Sequence, residues 1–490
     1  MLTPGAILAV IAGYYLILFI ISQITSRRAD NESFFLGNRR SPWVVVAVGM
    51  LGSSISGVTF VSVPGWVMET NFAYMQMVFG YLAGYVVIAE ILLPLYYRLR
   101  LTSIYSYLDQ RFGSHSYKTG ATFFLLSRSI GTAFRLFLVI NVLQLVIFDA
   151  WNIPFFVTVA LALSLILLYT FRGGIRTIIW TDMLQTIFMV TAVVLTIISI
   201  ASNMGFNGRE LVAVISDHEY SRIFFFDDFR SSNHFVKQFL GGMFITIVMT
   251  GLDQDMMQKN LSCRNLRDAS RNVYLYSISF VPVNLLFLSL GVVLVIYANA
   301  TGFPVPEMGD DLYPLLATTG GLGTLIPLLF ILGLIAAAYS SADSALTALT
   351  TSFTVDILGA ADGDKRRLTK IRKRVHVGVT LVIMAIIILF RQINDQSVIG
   401  AVFTVAGYTY GPLLGLFAFG LFTKRLAADR ITPFIAAASP VATWLIGRYS
   451  EDILWGYQFG FELLLVNGLF TFLCLLIFSS PERPEGGDSR

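Results

Sequence analysis

Long apolar segments dominate this sequence and limit the folds open to it. Runs of roughly 20 mostly apolar residues, the length that crosses a bilayer core as a helix, recur from Gly5 to Phe478. Of the 490 residues, 56% are hydrophobic and only 13% are charged, a composition unsuited to a water-soluble chain of this length. The runs are too long for the strands of a β-barrel and do not alternate as such strands do. The sequence therefore predicts an all-α polytopic membrane protein with a single membrane domain.

About thirteen transmembrane helices are expected, because backbone polar groups inside a bilayer must be satisfied within the segment. The first, 5–25, is too long for the apolar core of a cleaved signal, so it is predicted to be retained as an extra N-terminal helix. The others are predicted at 42–68, 72–98, 117–148, 152–171, 177–204, 236–258, 272–298, 322–357, 375–391, 397–423, 431–448 and 455–479.

The distribution of basic residues predicts the orientation in a plasma or inner membrane. With the N-terminus outside, most of the 34 Lys and Arg fall in cytoplasmic loops, as the positive-inside rule expects. This assignment puts the C-terminus in the cytoplasm and the basic residues from Lys259 to Arg271 in one cytoplasmic loop. The long outside segments are 205–235 and 299–321, and the first, rich in charge and aromatics, is expected to fold over the outer face.

Several classes of protein are disfavoured by what the sequence contains. The two cysteines, Cys263 and Cys474, cannot build a disulfide framework. The net charge of +4 follows from the loop asymmetry and gives no reason to expect a nucleic-acid partner. We find no nucleotide-binding cassette in the sequence, so ATP bound to a soluble domain of this chain is not the expected energy source. The chain is expected to function as a monomer in the lipid bilayer.

A Gly/Ser cluster from Gly49 to Thr59 lies in the middle of the second span. A helix in a bilayer can open only where the freed backbone lines a cavity or a protein surface. An unwound stretch here would offer carbonyls to a cation and hydroxyls to a solute; close packing of small residues is the alternative. A second candidate break lies in the seventh span at Gly241, Gly242, Thr246, Thr250 and Gly251.

Two breaks five spans apart suggest an internal repeat. We predict two five-helix repeats of opposite direction, 42–204 and 236–423, followed by two C-terminal helices within 431–479.

The ninth span carries one face of small and hydroxyl side chains, namely Ala337, Ser340, Ser341 and Ser344. Serine hydroxyls can bond back to their own helix, so this face alone is weak evidence for an ion site. Sodium is a hard cation that needs several oxygen ligands. Two hydroxyls, together with carbonyls from an unwound partner helix, would supply them.

Charged residues inside membrane spans cost free energy to insert, so their presence indicates a functional or structural role. Asp182 in the sixth span and Asp343 in the ninth would each cost about 2.5 to 3.5 kcal/mol at the bilayer centre. The alternatives are a position near the cytoplasmic end for Asp182 and a structural pairing for Asp343. Arg135 lies mid-span in the fourth helix, and Arg128 lies nearer the cytoplasm. Each guanidinium needs an anion, either a substrate carboxylate or a protein carboxylate such as Glu90.

Taken together, these residues resemble the sodium/solute symporter family, whose members have a LeuT-like inverted-repeat core. The resemblance covers nearly the whole chain. It is carried by Ser33 to Gly37, the break from Gly52 to Thr59, Trp180, Thr181, Asp182 and Gln185, then Gly251, Gln254 and Gln258, and the run from Ala337 to Ser344 followed by Asp356.

The resemblance implies the identity of the ion ligands. The main sodium site would use carbonyls of Gly52, Ile55 and Ala337 and hydroxyls of Ser340 and Ser341. Some members hold a second sodium, whose ligands here would be Asp182, Ser341 and Ser344. Asp343 stands where relatives with two sodium ions have a serine, so it is a further candidate for ion or proton binding and one or two sodium ions are possible.

Among relatives, sodium-coupled sialic acid symporters have the most similar solute pocket. The matching positions are Ser54, Ser56 and Thr59 as hydroxyl contacts, Tyr74 as an aromatic wall and Arg135 as the carboxylate ligand. Val78 replaces a glutamine of those relatives, and the acidic and amide residues of sugar carriers are absent. The resemblance thus implies an anionic solute, sialic acid or another carboxylate, with a neutral sugar, amino acid or other polyol as the alternative.

The expected activity is sodium-coupled uptake by alternating access, in which ion and solute stabilise one another through shared structure. An ion channel is a rival, although broken helices at one depth argue against it. An intramembrane enzyme would need a catalytic set, and we find neither an HExxH nor a GxSxG motif. A sodium sensor would need an output module.

Overall fold

The computed structural model describes residues 4–26, 39–101, 103–170, 175–360, 365–393 and 398–481. This part of the chain is helical, with two isolated β-bridges as its only β structure. The first half contains α1 Pro4–Ser26, α2 Trp43–Ser54, α3 Gly57–Thr70, α4 Tyr74–Val87, α5 Leu93–Arg98, α6 Ser106–Arg111, α7 Ser114–Leu143, α8 Phe155–Thr170, α9 Ile175–Asn203 and α10 Gly208–Ser216.

The second half continues the helical architecture. It contains α11 Phe235–Thr246, α12 Gln254–Leu261, α13 Leu266–Thr301, α14 Leu312–Thr319, α15 Leu325–Ser352, α16 Lys365–Ile393, α17 Val398–Thr409, α18 Gly411–Phe422, α19 Thr432–Arg448, α20 Ser450–Ile453 and α21 Leu463–Ile477. Wider π-helical turns extend α4, α7, α11 and α15 at Ile88–Leu92, Gln144–Phe148, Ile247–Gly251 and Phe353–Ile357.

Apolar helices long enough to cross a bilayer are present, as the composition predicts. In the described ranges six helices qualify by themselves, or up to eight spans if each of two strongly bent pairs counts as one. Shorter apolar helices, including α2 and α8, lie beside them. The multi-pass architecture is therefore confirmed, while the number thirteen and the bounds of the two repeats stay predictions.

Both predicted helix breaks are present. The second span stops at Ser54 and restarts at Gly57, and between them Ser56 is extended with φ −77° and ψ 178°. The seventh span bends by 65° between α11 and α12. Close packing of small residues, the alternative interpretation, would leave each span as an unbroken α-helix. It therefore does not account for these two interruptions.

Glycine allows the first broken span to approach α9 closely. A Cβ on Gly52 would lie 2.0 Å from Thr186 Oγ1 and 2.8 Å from the Asp182 carbonyl oxygen. Any larger residue would therefore separate the two helices. α9 also packs along α15, so α2, α9 and α15 form one contiguous group that carries the candidate ion ligands.

The two long segments predicted to lie outside contain more structure than the sequence suggested. Within 205–235, the Phe225 N–H donates to Gln76 Oε1 at 3.0 Å and the Arg222 carbonyl accepts from the Phe72 N–H at 3.1 Å. These contacts attach the segment to the α3–α4 connection, and its place over the outer face stays a prediction. The segment 299–321, predicted as a loop, contains the helix Leu312–Thr319.

Candidate functional site

A central cavity brings together all five residues predicted to contact the solute. It lies beside the break between α2 and α3 and leaves about 90 Å³ for the centres of water-sized molecules. Its lining includes Ser54, Ser56, Thr59, Tyr74 and Arg135. Because these residues belong to different helices, α2, α3, α4 and α7 all contribute to one cavity.

Three further tyrosines line the cavity, and the sequence analysis did not identify them. The Tyr276 hydroxyl lies 2.5 Å from the Ser54 hydroxyl and accepts a hydrogen bond from Tyr85 at 2.7 Å. The Tyr81 hydroxyl donates to Tyr74 at 3.2 Å. Tyr74, Tyr81 and Tyr85 follow the i, i+7, i+11 spacing of one helix face, and this spacing was the signal available in the sequence.

Arg128 is a structural cation in this arrangement. It is buried and forms an ion pair with Asp255, and its Nη1 lies 3.7 Å from Asp253 Oδ2. Asp253 also caps α12 by accepting from the Asp255 N–H at 2.9 Å. Both acidic residues follow the break in the seventh span and were missed from sequence. Arg128 is therefore paired with protein carboxylates.

Arg135 differs from Arg128 in its partners. Both arginines line the central cavity, but within the described part of the chain no ion pair or hydrogen bond involves the Arg135 guanidinium. The internal competitor proposed from sequence, Glu90, instead accepts a hydrogen bond from Tyr274 at 2.6 Å in an exposed position. A guanidinium in such a cavity can bind a carboxylate through two parallel hydrogen bonds.

Main-chain carbonyls are available at the first break. The Ile55 N–H donates to the Leu51 carbonyl at 2.8 Å, and the Phe60 N–H donates to the Ser56 carbonyl at 3.0 Å. Among the hydrogen bonds of the described residues, none reaches the carbonyls of Gly52 or Ile55. These two oxygens are free to bind a cation, as the predicted main sodium site requires.

The serine face of α15 meets this break at one carboxylate. Asp182 Oδ2 accepts from the Ser53 hydroxyl at 2.7 Å, and Asp182 Oδ1 accepts from the Ser340 hydroxyl at 2.8 Å. The next hydroxyl, Ser341 Oγ, is buried with no hydrogen-bond partner in the described structure. Buried polar groups are normally paired, so an unpaired Ser341 oxygen in these surroundings fits a cation ligand.

Lys259 corrects the sequence-based assignment of the loops. It was predicted in a cytoplasmic loop, yet it lies on α12 and is fully buried, with a relative exposure of 0%. Its ammonium donates to Asp182 Oδ2 at 3.0 Å and to the Ser53 hydroxyl, and it lies 3.9 Å from Asp255 Oδ1. The positive-inside rule misplaced it because a lysine that pairs with buried carboxylates can lie within the protein.

The remaining candidates for a second sodium site flank this lysine. The Ser344 hydroxyl donates to Asp255 Oδ1, and the Ser344 N–H donates to Asp343 Oδ1 at 2.6 Å. Asp343 and Ser344 are both buried on α15 with Ala337. Ser344 therefore hydrogen-bonds to Asp255 of α12, a contact that the sequence did not predict.

Broken helices beside a central cavity define a membrane transporter with a LeuT-like fold. A solved structure of a sodium-coupled sialic acid symporter in a substrate-bound outward-open state superposes with a TM-score of 0.82 at 22% identity, covering 96% of this chain and 97% of that one. The nucleobase-cation symporter Mhp1 superposes with a TM-score of 0.57 at 13% identity, covering 92% and 94%. These likenesses establish the fold.

Comparison of sequences identifies the family. Residues 34–429 match the sodium:solute symporter family, and this chain belongs to it. The sodium/sialic acid symporter of Proteus mirabilis is 24% identical over 459 residues, 91% of this chain and 90% of that protein. The sodium-dependent multivitamin transporter of Oryctolagus cuniculus is 27% identical over 401 residues, 79% and 61% respectively.

Membership of this family answers the broad functional question. The chain is a multi-pass sodium-coupled symporter of a small solute, and it is a transporter rather than an enzyme. Sodium is the coupling ion. The motif Ser33 to Gly37, one of the features behind the resemblance, lies outside the described residues.

Proposed function

We propose that this chain takes up a carboxylated solute of the sialic acid class together with sodium. The observation that carries the proposal is the Arg135 guanidinium, which lines the cavity while Arg128 is paired with Asp253 and Asp255. A guanidinium cannot shed its charge, so an anionic solute is its natural partner. Relatives named as sialic acid symporters give the solute class.

The cavity chemistry suits a hydroxylated acid. Ser54, Ser56 and Thr59 would contact solute hydroxyls, while Tyr74 provides an apolar face beside Arg135. Aromatic faces and hydroxyls together bind polyhydroxylated rings without needing a second charge.

The main sodium ion would bind between the first break and α15. Carbonyl oxygens of Gly52, Ile55 and Ala337 and hydroxyls of Ser340 and Ser341 form the proposed ligand set. This set is supported by the free carbonyls at the break and by the unpaired buried hydroxyl of Ser341. An ion held there would join α2 to α15 and fix the hydroxyls of the adjacent solute cavity.

This shared structure explains coupling. Sodium binding would order the break that also carries Ser54 and Ser56, so each ligand would strengthen the other, typically by about 1–3 kcal/mol. Tyr74 and Phe403 line both the central cavity and a second cavity bounded by Trp66, Asn233 and Phe461. With the N-terminus outside and the C-terminus in the cytoplasm, we propose this second cavity as the entry path. Each monomer would contain a complete pathway.

A thermal-shift screen followed by transport tests this function. Purified protein is heated with carboxylated and neutral solutes, in sodium and in choline, because a ligand stabilises only the state that binds it. Carboxylated sugars are expected to raise the melting temperature in sodium alone, and Arg135→Met is expected to remove this shift. Arg209→Met, an exposed arginine on α10, is the matched control. Stabilisation by neutral sugars only, unaffected by Arg135→Met, would refute the assigned solute class.

A further inference from the structure

We propose that the Lys259 ammonium is a tethered cation that occupies the place of a second sodium ion, so that one sodium ion accompanies each solute. The inference rests on the proposed function and extends it to the ion stoichiometry. It starts from the contacts of Asp182, a candidate carboxylate ligand of the second site.

Asp182 is already paired with a cation and two hydroxyl donors in this arrangement. Its Oδ2 accepts from the Lys259 ammonium at 3.0 Å and from Ser53 at 2.7 Å, and its Oδ1 accepts from Ser340 at 2.8 Å. A sodium ion on the same carboxylate would lie a few ångströms from a fixed positive charge in a buried site, where repulsion between like charges is strong.

The Lys259 ammonium is surrounded by oxygen atoms as a bound cation would be. Its side chain is fully buried on α12, and its ammonium contacts Asp182, the Ser53 hydroxyl and, at 3.9 Å, Asp255. An ammonium is a compact cation with three donors, and these three oxygen-bearing groups face it from three different helices. Ser344, another candidate ligand of the second site, donates instead to Asp255 Oδ1, so it too is engaged.

The main sodium site is compatible with this lysine. One of its ligands, the Ser341 hydroxyl, which a second site would have to share, is buried and unpaired in the described structure, whereas the neighbouring Ser340 hydroxyl donates to Asp182. The two cation positions therefore differ in whether a positive charge is already present. One offers free oxygens, and the other already contains a positive charge.

A tethered cation has a consequence for energetics. It can neutralise Asp182 and join α12 to α2 and α9, but it cannot leave with the solute. It therefore contributes to the structure without drawing on the sodium gradient. The maximum accumulation of the solute is then limited by the gradient of one sodium ion and by the membrane potential acting on the net charge of sodium plus solute.

The first experiment measures the stoichiometry of the wild-type protein. Paired isotope fluxes in proteoliposomes are expected to give one sodium per solute, with a Hill coefficient of about 1 for sodium. A ratio of two would overturn the tethered-cation inference but leave sodium-coupled transport intact. Absence of any sodium stimulation would instead overturn the proposed function, so the two failures are distinguishable.

The second experiment removes the Lys259 ammonium from the proposed second cation position. Lys259→Met removes the ammonium and keeps most of the side-chain volume, so a second sodium is expected to bind, and the slope of melting temperature against the logarithm of sodium concentration should roughly double. The double variant Lys259→Met with Asp182→Asn removes the carboxylate as well, and its slope should return to the wild-type value. An unchanged slope in Lys259→Met would show that the lysine is only a structural ion pair.

A matched control and a folding test complete the design. Lys237→Met alters another buried lysine, which donates to the Arg230 and Gln458 carbonyls near the outer segment, and it is expected to leave the slope unchanged. If Lys259→Met does not fold without sodium, growth and purification in high sodium should restore its yield by replacing the lost ammonium. Failure of this rescue would overturn the inference.

Discussion

Removing the Ser341 hydroxyl should separate ion binding from protein stability. In the structure this buried oxygen has no hydrogen-bond partner among the described residues, and an unsatisfied buried polar group costs about 1–3 kcal/mol. Ser341→Ala relieves that cost. We therefore expect the variant to melt at the same temperature as the wild type, or higher, when sodium is absent.

The sodium-bound state should behave in the opposite way. A hydroxyl that contacts a charge contributes about 1.5–3 kcal/mol, and about 1.4 kcal/mol corresponds to a tenfold change in affinity. Ser341→Ala is thus expected to bind sodium about 10- to 140-fold more weakly. Melting curves of the purified protein in sodium and in choline, with sodium-dependent uptake in parallel, measure both effects.

The neighbouring serine gives the matched control. The Ser340 hydroxyl donates to Asp182 at 2.8 Å, so Ser340→Ala removes a hydrogen bond to a carboxylate and should destabilise the protein by about 1.5–3 kcal/mol even without sodium. Wild-type sodium affinity in Ser341→Ala would refute the reasoning. So would a large loss of stability for Ser341→Ala in choline.

Four other single variants test the site and its supports. Arg135→Met should reduce uptake of a carboxylated solute at least about tenfold, with little change in melting temperature. Arg128→Met leaves buried carboxylates unpaired and should destabilise the protein by about 3–5 kcal/mol. Uptake and melting assays check both results. Gly52→Ala would place a methyl 2.0 Å from Thr186 Oγ1, so the folded yield on size-exclusion chromatography should fall, and Thr186→Ala in the same chain should restore part of it. Burial acts to raise the pKa of the Asp429 carboxyl, in the loop before α19, but hydrogen bonds from the start of α7 hold that pKa below its usual 3.8. Since a lowered pKa stabilises the fold above the unfolded value, Asp429→Asn should lower the melting temperature equally at all higher pH values, and the difference should vanish as the pH falls below 3.8.

The helix breaks were predictable because their cause is local. Glycine and serine clusters weaken a helix wherever they occur, and a bilayer permits interruption only beside a cavity or protein. The break at Ile55 and Ser56 and the bend after Gly251 were therefore both evident from sequence. The start of α13 was less evident, because Asn265 caps the helix through the Asp268 N–H at 2.9 Å within a basic stretch that resembles a loop.

Charge partners were not predictable, because their assignment depends on distances between helices. Arg128 and Arg135 are alike in sequence, two turns apart on one helix. Both line the central cavity, and only packing places Asp255 beside the first while leaving the second without an ion pair in the described structure. Lys259 likewise lies in a run of basic residues that the sequence assigns to a loop.

The sequence by itself determined the solvent, the helical class, the interrupted spans and the oxygen-rich face of the ninth span, since each follows from composition or from spacing along one helix. The tertiary structure decided which buried charges neutralise each other. Electrostatic energy depends on separations of a few ångströms between residues far apart in the chain. Asp182 and Lys259, 77 positions apart, meet only because α9 and α12 pack into the same core.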